Sequence, residues 1–126
     1  MQRPDPKIFV VDDDGPARDS LAYLLASMGW PVRAFASADD LLDAVSNDRP
    51  DCIVSDLDMP GMDGAELLEH LHSRGMRIPV IVVTGLMASA PLALRATTAG
   101  AREIVQKPFR ERDIEGAVQR ALARVH

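Results

Sequence analysis

The chain has 126 residues, 47% of them hydrophobic, and a formal net charge of −5 from 19 acidic residues against 14 Lys and Arg. That describes one domain, large enough to bury about two-thirds of its unfolded surface without a covalent staple, and the single Cys52 excludes an internal disulfide and suits a reducing compartment. The acidic balance argues against direct nucleic-acid binding, no apolar run is long enough to span a membrane, and the opening MQRPDPK lacks the apolar stretch of a signal peptide, so a cytoplasmic protein is expected.

In chain order, residues 1–7 carry two prolines and read as a loose leader to a domain over 8–126. A short apolar run predicts a first strand over 8–11, ending in Asp12, Asp13 and Asp14. Pro16 suits the first turn of a helix reaching Met28, with Leu21, Leu24 and Leu25 at helical spacing and Gly29 as its cap. A second strand is expected over 32–35. Ser37 then caps a helix over 38–47.

The uncharged run Cys52, Ile53, Val54, Ser55 predicts a buried third strand that delivers Asp56 at its end, before Pro60-Gly61 breaks the chain. A third helix over 64–74, with Asp63 as its N-cap, carries Leu67, Leu68 and Leu71 inward. The run over 78–83 is a fourth strand ending at Thr84-Gly85. Pro91 and Thr97-Thr98 weaken the helix over 90–99 that follows. A fifth strand over 103–105 leads into Lys107-Pro108, and a last helix covers 111–125.

Five strand–helix units with short, right-handed crossovers imply an α/β fold, a (βα)₅ doubly wound five-stranded parallel sheet of order 2-1-3-4-5. Ligands bind such sheets beyond the carboxyl ends of the strands, at the switch point between the first and third strands. Asp12, Asp13 and Asp56 converge there, with Thr84 and Lys107 beside them. Carboxylates about 4 Å apart repel by roughly 4 kcal/mol per pair in a surface-like dielectric. A hard divalent cation on oxygen ligands, Mg²⁺ above all, offsets that, and with a hydroxyl and an ammonium nearby the site suits phosphoryl transfer onto Asp56.

Asp12-Asp13, Asp56 followed by Met59-Pro60-Gly61-Met62-Asp63-Gly64, Thr84-Gly85 and Lys107-Pro108-Phe109 together resemble the signature of the response regulator receiver domain of two-component signalling, a flavodoxin-like, CheY-like fold. The match runs from about residue 8 to 125. The wording VVDDDGPARDSLAYLL and VVTGLMASAPLALRATTAGA is similar to FixJ-type regulators. The resemblance implies a phosphoacceptor signalling domain rather than an enzyme with an external substrate. Asp56 would receive a phosphoryl group from the phosphohistidine of a sensor histidine kinase, docked on the first helix around Arg18. Mg²⁺ would lie on Asp13, Asp56 and the main-chain carbonyl of Asp58, with Asp12 acting through water. Thr84 and Lys107 would bind phosphoryl oxygens, and Lys107-Pro108 would be a cis peptide. A helix-turn-helix output domain outside this chain is the implied effector.

Three positions depart from the pattern. Ile104 stands where receivers carry the aromatic switch residue, and Asp58 and Leu86 flank the phosphoryl position, so that Asp58 is expected to tune hydrolysis. The switching surface is expected on the face from Leu86 to Ile104, including Met87, Pro91 and Leu92, as a phosphorylation-dependent homodimer interface. Elsewhere Asp14 reads as a solvated loop acid, and His70 and His72 as surface residues. The arginines 110, 112, 120 and 124, interleaved with Glu111, Asp113 and Glu115, read as a salt-bridged helix. Two other readings stay open: a receiver-like interaction module that is never phosphorylated, and a Mg²⁺-dependent phosphatase of the haloacid-dehalogenase type, which Asp56-Leu57-Asp58 resembles.

Overall fold

Parallel strands buried on both faces read as unbroken apolar runs, and such runs form the three inner strands of the sheet here. The computed structural model describes residues 5–85 and 90–123. The strands are β1 (Ile8–Val11), β2 (Val32–Phe35), β3 (Cys52–Asp56), β4 (Val80–Thr84) and β5 (Glu103–Gln106). They alternate with α1 (Gly15–Ser27), α2 (Ala38–Val45), α3 (Gly64–Ser73), α4 (Ala90–Thr98) and α5 (Glu111–Ala123). All pairings are parallel, in the order β2-β1-β3-β4-β5. The doubly wound arrangement expected from the sequence is therefore the one observed.

Side-chain alternation along the strands divides the core into two layers. Ile8, Val10, Cys52, Val54, Ile81 and Val83 pack against Leu21 and Leu25 of α1 and Ile114, Ala117, Val118 and Ala121 of α5. Phe9, Val11, Ile53, Val80 and Val82 face the other way, against Leu41, Leu42 and Val45 of α2 and Leu67, Leu68 and Leu71 of α3. Only Ala96 of α4 is buried, so tertiary packing adds little to a sequence already weakened by Pro91 and Thr97-Thr98. Gly29, Gly75 and Gly100 follow α1, α3 and α4 with φ of 95°, 70° and 103°, the left-handed conformation that stops each helix.

Several boundaries differ from expectation, the larger differences for local reasons. β4 starts at Val80, since Pro79 has no N–H for the ladder and contributes only its carbonyl, which accepts from the Ile53 amide at 2.9 Å. β4 and β5 run on to Thr84 and Gln106, which pair with each other. α2 ends at Val45, where the Asn47 and Asp48 amides both turn back to the Ala44 carbonyl. Lys7, read as part of the leader, is tied down: its amide donates to Asp51 Oδ2 at 2.8 Å, its carbonyl accepts from the Asp51 amide, and its ammonium pairs with Asp48. Arg124 and Val125, expected in the last helix, lie outside the described residues.

Gly64 fixes how α3 approaches the end of β3. A Cβ there would stand 2.8 Å from the Asp56 carbonyl oxygen and 3.1 Å from Leu57 Cα, both backbone atoms that cannot rotate away. The Gly64 amide donates to the Leu57 carbonyl at 2.9 Å, closing the loop that holds Asp56. Gly64→Ala is expected to lower stability by about 1–3 kcal/mol, the usual cost of overpacking, read as a lower urea midpoint. An unchanged midpoint would mean that α3 can slide without loss.

Candidate functional site

The sheet register sets the site. Val11 of β1 lies opposite Ser55 of β3, so the next residues, Asp12 and Asp56, leave neighbouring strands side by side. Strand parity puts Asp12 in line with Ile8 and Val10, and Asp56 in line with Cys52 and Val54, toward the layer covered by α1 and α5. Lys107 follows β5 in the parity of Val105, which packs in that same layer. The carboxylate oxygens of Asp12, Asp13 and Asp56 all come within 4.8 Å of one another, Asp12 buried, Asp56 half-buried and Asp13 exposed. Lys107 Nζ stands 3.5 Å from Asp56 Oδ1 and 3.9 Å from Asp12 Oδ2.

Three negative charges here face one positive charge, and burial makes the imbalance costly. Burial, then the charge of Asp12, pushes the Asp56 carboxyl up to about 6, against the opposing pull of Lys107. Asp12 is also raised, chiefly by burial, although the Asp14 amide donates to its Oδ1 at 3.0 Å. Oxygen ligands around a small hard cation bound at about 2.1 Å lie roughly 3–4 Å from one another, which the three carboxylates can meet with little movement. The all-oxygen donor set, without sulfur or imidazole, suits such an ion.

The other expected residues fall as follows. Thr84 is buried at the end of β4, its hydroxyl 3.4 Å from the Gly85 carbonyl, and its own carbonyl accepts from the Lys107 amide at 2.8 Å. The Lys107-Pro108 peptide bond is cis. Asp58 is exposed, two residues beyond Asp56, and Ile104 is exposed at 37% on β5. Leu86 and Met87 lie outside the described residues. Asp63 caps α3 as expected, with a reciprocal bond between Glu66 and the Asp63 amide, while His70 and His72 are exposed.

Two readings need correction. Asp14 is exposed, but it is also the N-cap of α1, accepting from the Ala17 amide at 3.0 Å; an Asp two residues before Pro16 was the available signal. Arg120 pairs not along its own helix but across to β5, with both oxygens of Glu103 at 2.8 Å, and Gly116 one turn earlier leaves room for its guanidinium. The sequence also gave no sign of a cavity of about 550 Å³ opening beside Asp56 and Lys107, walled by Leu21 and Leu24 of α1, Val83, Pro108 and Phe109. It forms only once α1 and the β5–α5 connection stand together.

Residues 8–119 match the response regulator receiver domain family. The chain is 46% identical over 118 residues to the transcriptional regulatory protein FixJ of Azorhizobium caulinodans, covering 93% of this chain and 55% of that protein. Among solved structures it is similar to FixJ-N, with a TM-score of 0.90 at 37% identity over 98% of both chains. Full-length FixJ from B. japonicum matches with a TM-score of 0.82 at 38% identity, over 92% of this chain and 59% of that one. The chain thus spans about half the length of the curated relatives it matches.

The raised Asp56 carboxyl carries a stability signature. Its folded value of about 6 lies above the ordinary 3.8, so its ionisation opposes folding; the penalty is complete above pH about 6 and vanishes as pH falls below about 4. At 1.36 kcal/mol per pKa unit it amounts to at most about 3 kcal/mol. Asp56→Asn is therefore expected to be more stable than wild type at pH 7.5 in EDTA, with the gap closing on acidification to pH 4. Equal urea midpoints at pH 7.5 would refute the electrostatic account of this pocket.

Proposed function

The chain belongs to the response regulator receiver domain family, and on that premise we propose that it is switched by phosphorylation of Asp56 from the phosphohistidine of a sensor histidine kinase. The observation that supports this reading is the gathering of Asp12, Asp13 and Asp56 within 4.8 Å, with the Lys107 ammonium 3.5 Å from Asp56. In the transfer an Asp56 carboxylate oxygen forms the new bond to phosphorus, the P–N bond to the imidazole breaks, and the imidazole nitrogen keeps the electron pair and regains a proton from solvent. Asp56 must be ionised to attack. A carboxyl at about 6 is mostly so at neutral pH, and a neighbouring cation increases the fraction.

Asp13 and Asp56, with the main-chain carbonyl of Asp58, are the groups that would hold Mg²⁺, Asp12 acting through water. The chemistry supplied by bound Mg²⁺ is neutralisation of the carboxylates and of the phosphoryl oxygens. Lys107 supplies a point charge to those oxygens and Thr84 a hydroxyl donor. Asp58, exposed two residues after Asp56, would modulate attack by water on the acyl phosphate.

The response is assigned to α4 and β5. Leu94 is 66% exposed, Ile104 is exposed on the adjacent strand, and α4 buries only Ala96, so this face is both apolar and lightly held. The form of output we propose is a phosphorylation-dependent homodimer through this face that acts on a transcriptional output domain; relatives of the chain are named transcriptional regulatory proteins.

Intact mass after incubation with Mg²⁺ and acetyl phosphate tests the reaction. One phosphoryl adduct is expected, absent in Asp56→Ala and absent with chelator. An adduct that survives Asp56→Ala would locate the acceptor elsewhere, and no adduct would favour an interaction module that is never phosphorylated. The output half has a separate test: amides of α4 and β5 are expected to change their hydrogen-exchange rates when a phosphoryl mimic is added with Mg²⁺. Identical exchange in the two states would remove this face from the mechanism.

A further inference from the structure

Arg18 stands near the start of α1, and its side chain follows the general lean of helical side chains toward the N-terminus. It reaches back past Gly15, where a Cβ would lie 3.6 Å from Nη2, and Nη1 donates to the main-chain carbonyl of Asp12 at 2.9 Å. That carbonyl lies just beyond the end of β1. The Asp12 amide is still held by the Phe35 carbonyl at 3.2 Å. The segment then closes on itself: the Asp14 amide donates to Asp12 Oδ1, the Ala17 amide to Asp14 Oδ2, and the Arg18 amide to the Asp14 carbonyl at 2.8 Å.

We infer that Arg18 is a positioning residue for the carboxylate pocket, holding the main chain of Asp12 so that Asp12 and Asp13 keep a fixed separation from Asp56. The inference uses the Mg²⁺ reading for one of its two readouts and stands apart from it for the other. It also opposes the simplest electrostatic expectation. A guanidinium beside an anionic pocket competes with a cation, so by Coulomb's law alone its removal would tighten Mg²⁺ binding. If Arg18 orders the loop that carries the ligands, its removal weakens binding instead.

Two substitutions separate these outcomes, Arg18→Met, which keeps the aliphatic stem, and Arg18→Lys, which keeps the charge and one donor. Mg²⁺ affinity is measured by calorimetric titration without phosphodonor, and amide exchange at Asp14 by NMR, with thermal melts confirming that both variants fold. In Arg18→Met, Mg²⁺ binding is expected to be about fivefold weaker and Asp14 exchange about fivefold faster, the factor that about 1 kcal/mol of lost hydrogen bonding represents. Arg18→Lys is expected to recover part of both effects. Where wild type binds Mg²⁺, unchanged or tighter binding in Arg18→Met overturns the inference, and unchanged exchange at Asp14 overturns it in either case. If wild type takes up no Mg²⁺ while Asp14 exchange still accelerates in Arg18→Met, the metal reading fails and the ordering role of Arg18 stands.

Discussion

Like charges forced together at the ends of neighbouring strands are the constraint on which the rest of this structure depends. A parallel sheet leaves no freedom here: with Val11 opposite Ser55, the residues that follow must emerge about one strand spacing apart, and both are aspartates. The fold holds the pocket together because the strands behind it are held by two apolar layers whose burial far outweighs the repulsion at their tips. Burial, and then the charge of Asp12, hold the Asp56 carboxyl up at about 6 against the pull of Lys107. A site strained in this way has an unmet need for positive charge, and that need is its chemical capacity.

The strands, their order and the pocket carboxylates were legible in the sequence because they rest on local signals. Apolar runs, glycine stops and capping residues such as Ser37 and Asp63 act within a few residues of one another, and the right-handed crossover rule then leaves few topologies. What escaped depends on contacts between residues whose approach only the folded chain decides. Arg18 reaching the Asp12 carbonyl, Arg120 crossing to Glu103, Lys7 bound to Asp48 and Asp51, and the cavity between α1 and Phe109 are of this kind. Charge alternation along α5 suggested pairs within the helix, yet the planar guanidinium found a better bidentate partner on the strand beneath it. Asp14 was a milder failure, since its capping signal was present in the sequence and only the choice of helix start concealed it.

Stability is distributed unevenly in a way that matters for switching. β3, the strand that carries Asp56, is buried from Cys52 to Ser55, and Gly64 presses α3 directly against its end. α4 is attached mainly to α3, through Ala96, with the partly buried Leu92 and Ala93 beside it. Its Arg95 reaches Glu69 at 3.1 Å and Asp63 at 3.9 Å, exposed ion pairs worth at most about 1 kcal/mol each. Local unfolding and rearrangement draw on such lightly held elements, while Asp56 sits at the end of the buried central strand of the sheet.

The charge count links these two regions. With three carboxylates and one ammonium the pocket carries two uncompensated negative charges, the amount that one divalent cation neutralises. A phosphoryl group on Asp56 would then replace one carboxylate charge by an acyl phosphate of about −1.5 to −2, making a balanced site more negative by about 0.5 to 1 charge and restoring part of the original deficit. The nearby Arg18 guanidinium is already bonded to the Asp12 carbonyl, so the response open to the protein is to draw in donors that are already near. Thr84 follows Val83, the register partner of Asp56, and its carbonyl is bonded to the Lys107 amide, so a shift at the end of β4 is carried to the end of β5. α4 begins six residues after Thr84 and Ile104 lies three before Lys107. The same electrostatic deficit that makes the pocket receptive would thus move the face where the structure is least firmly held.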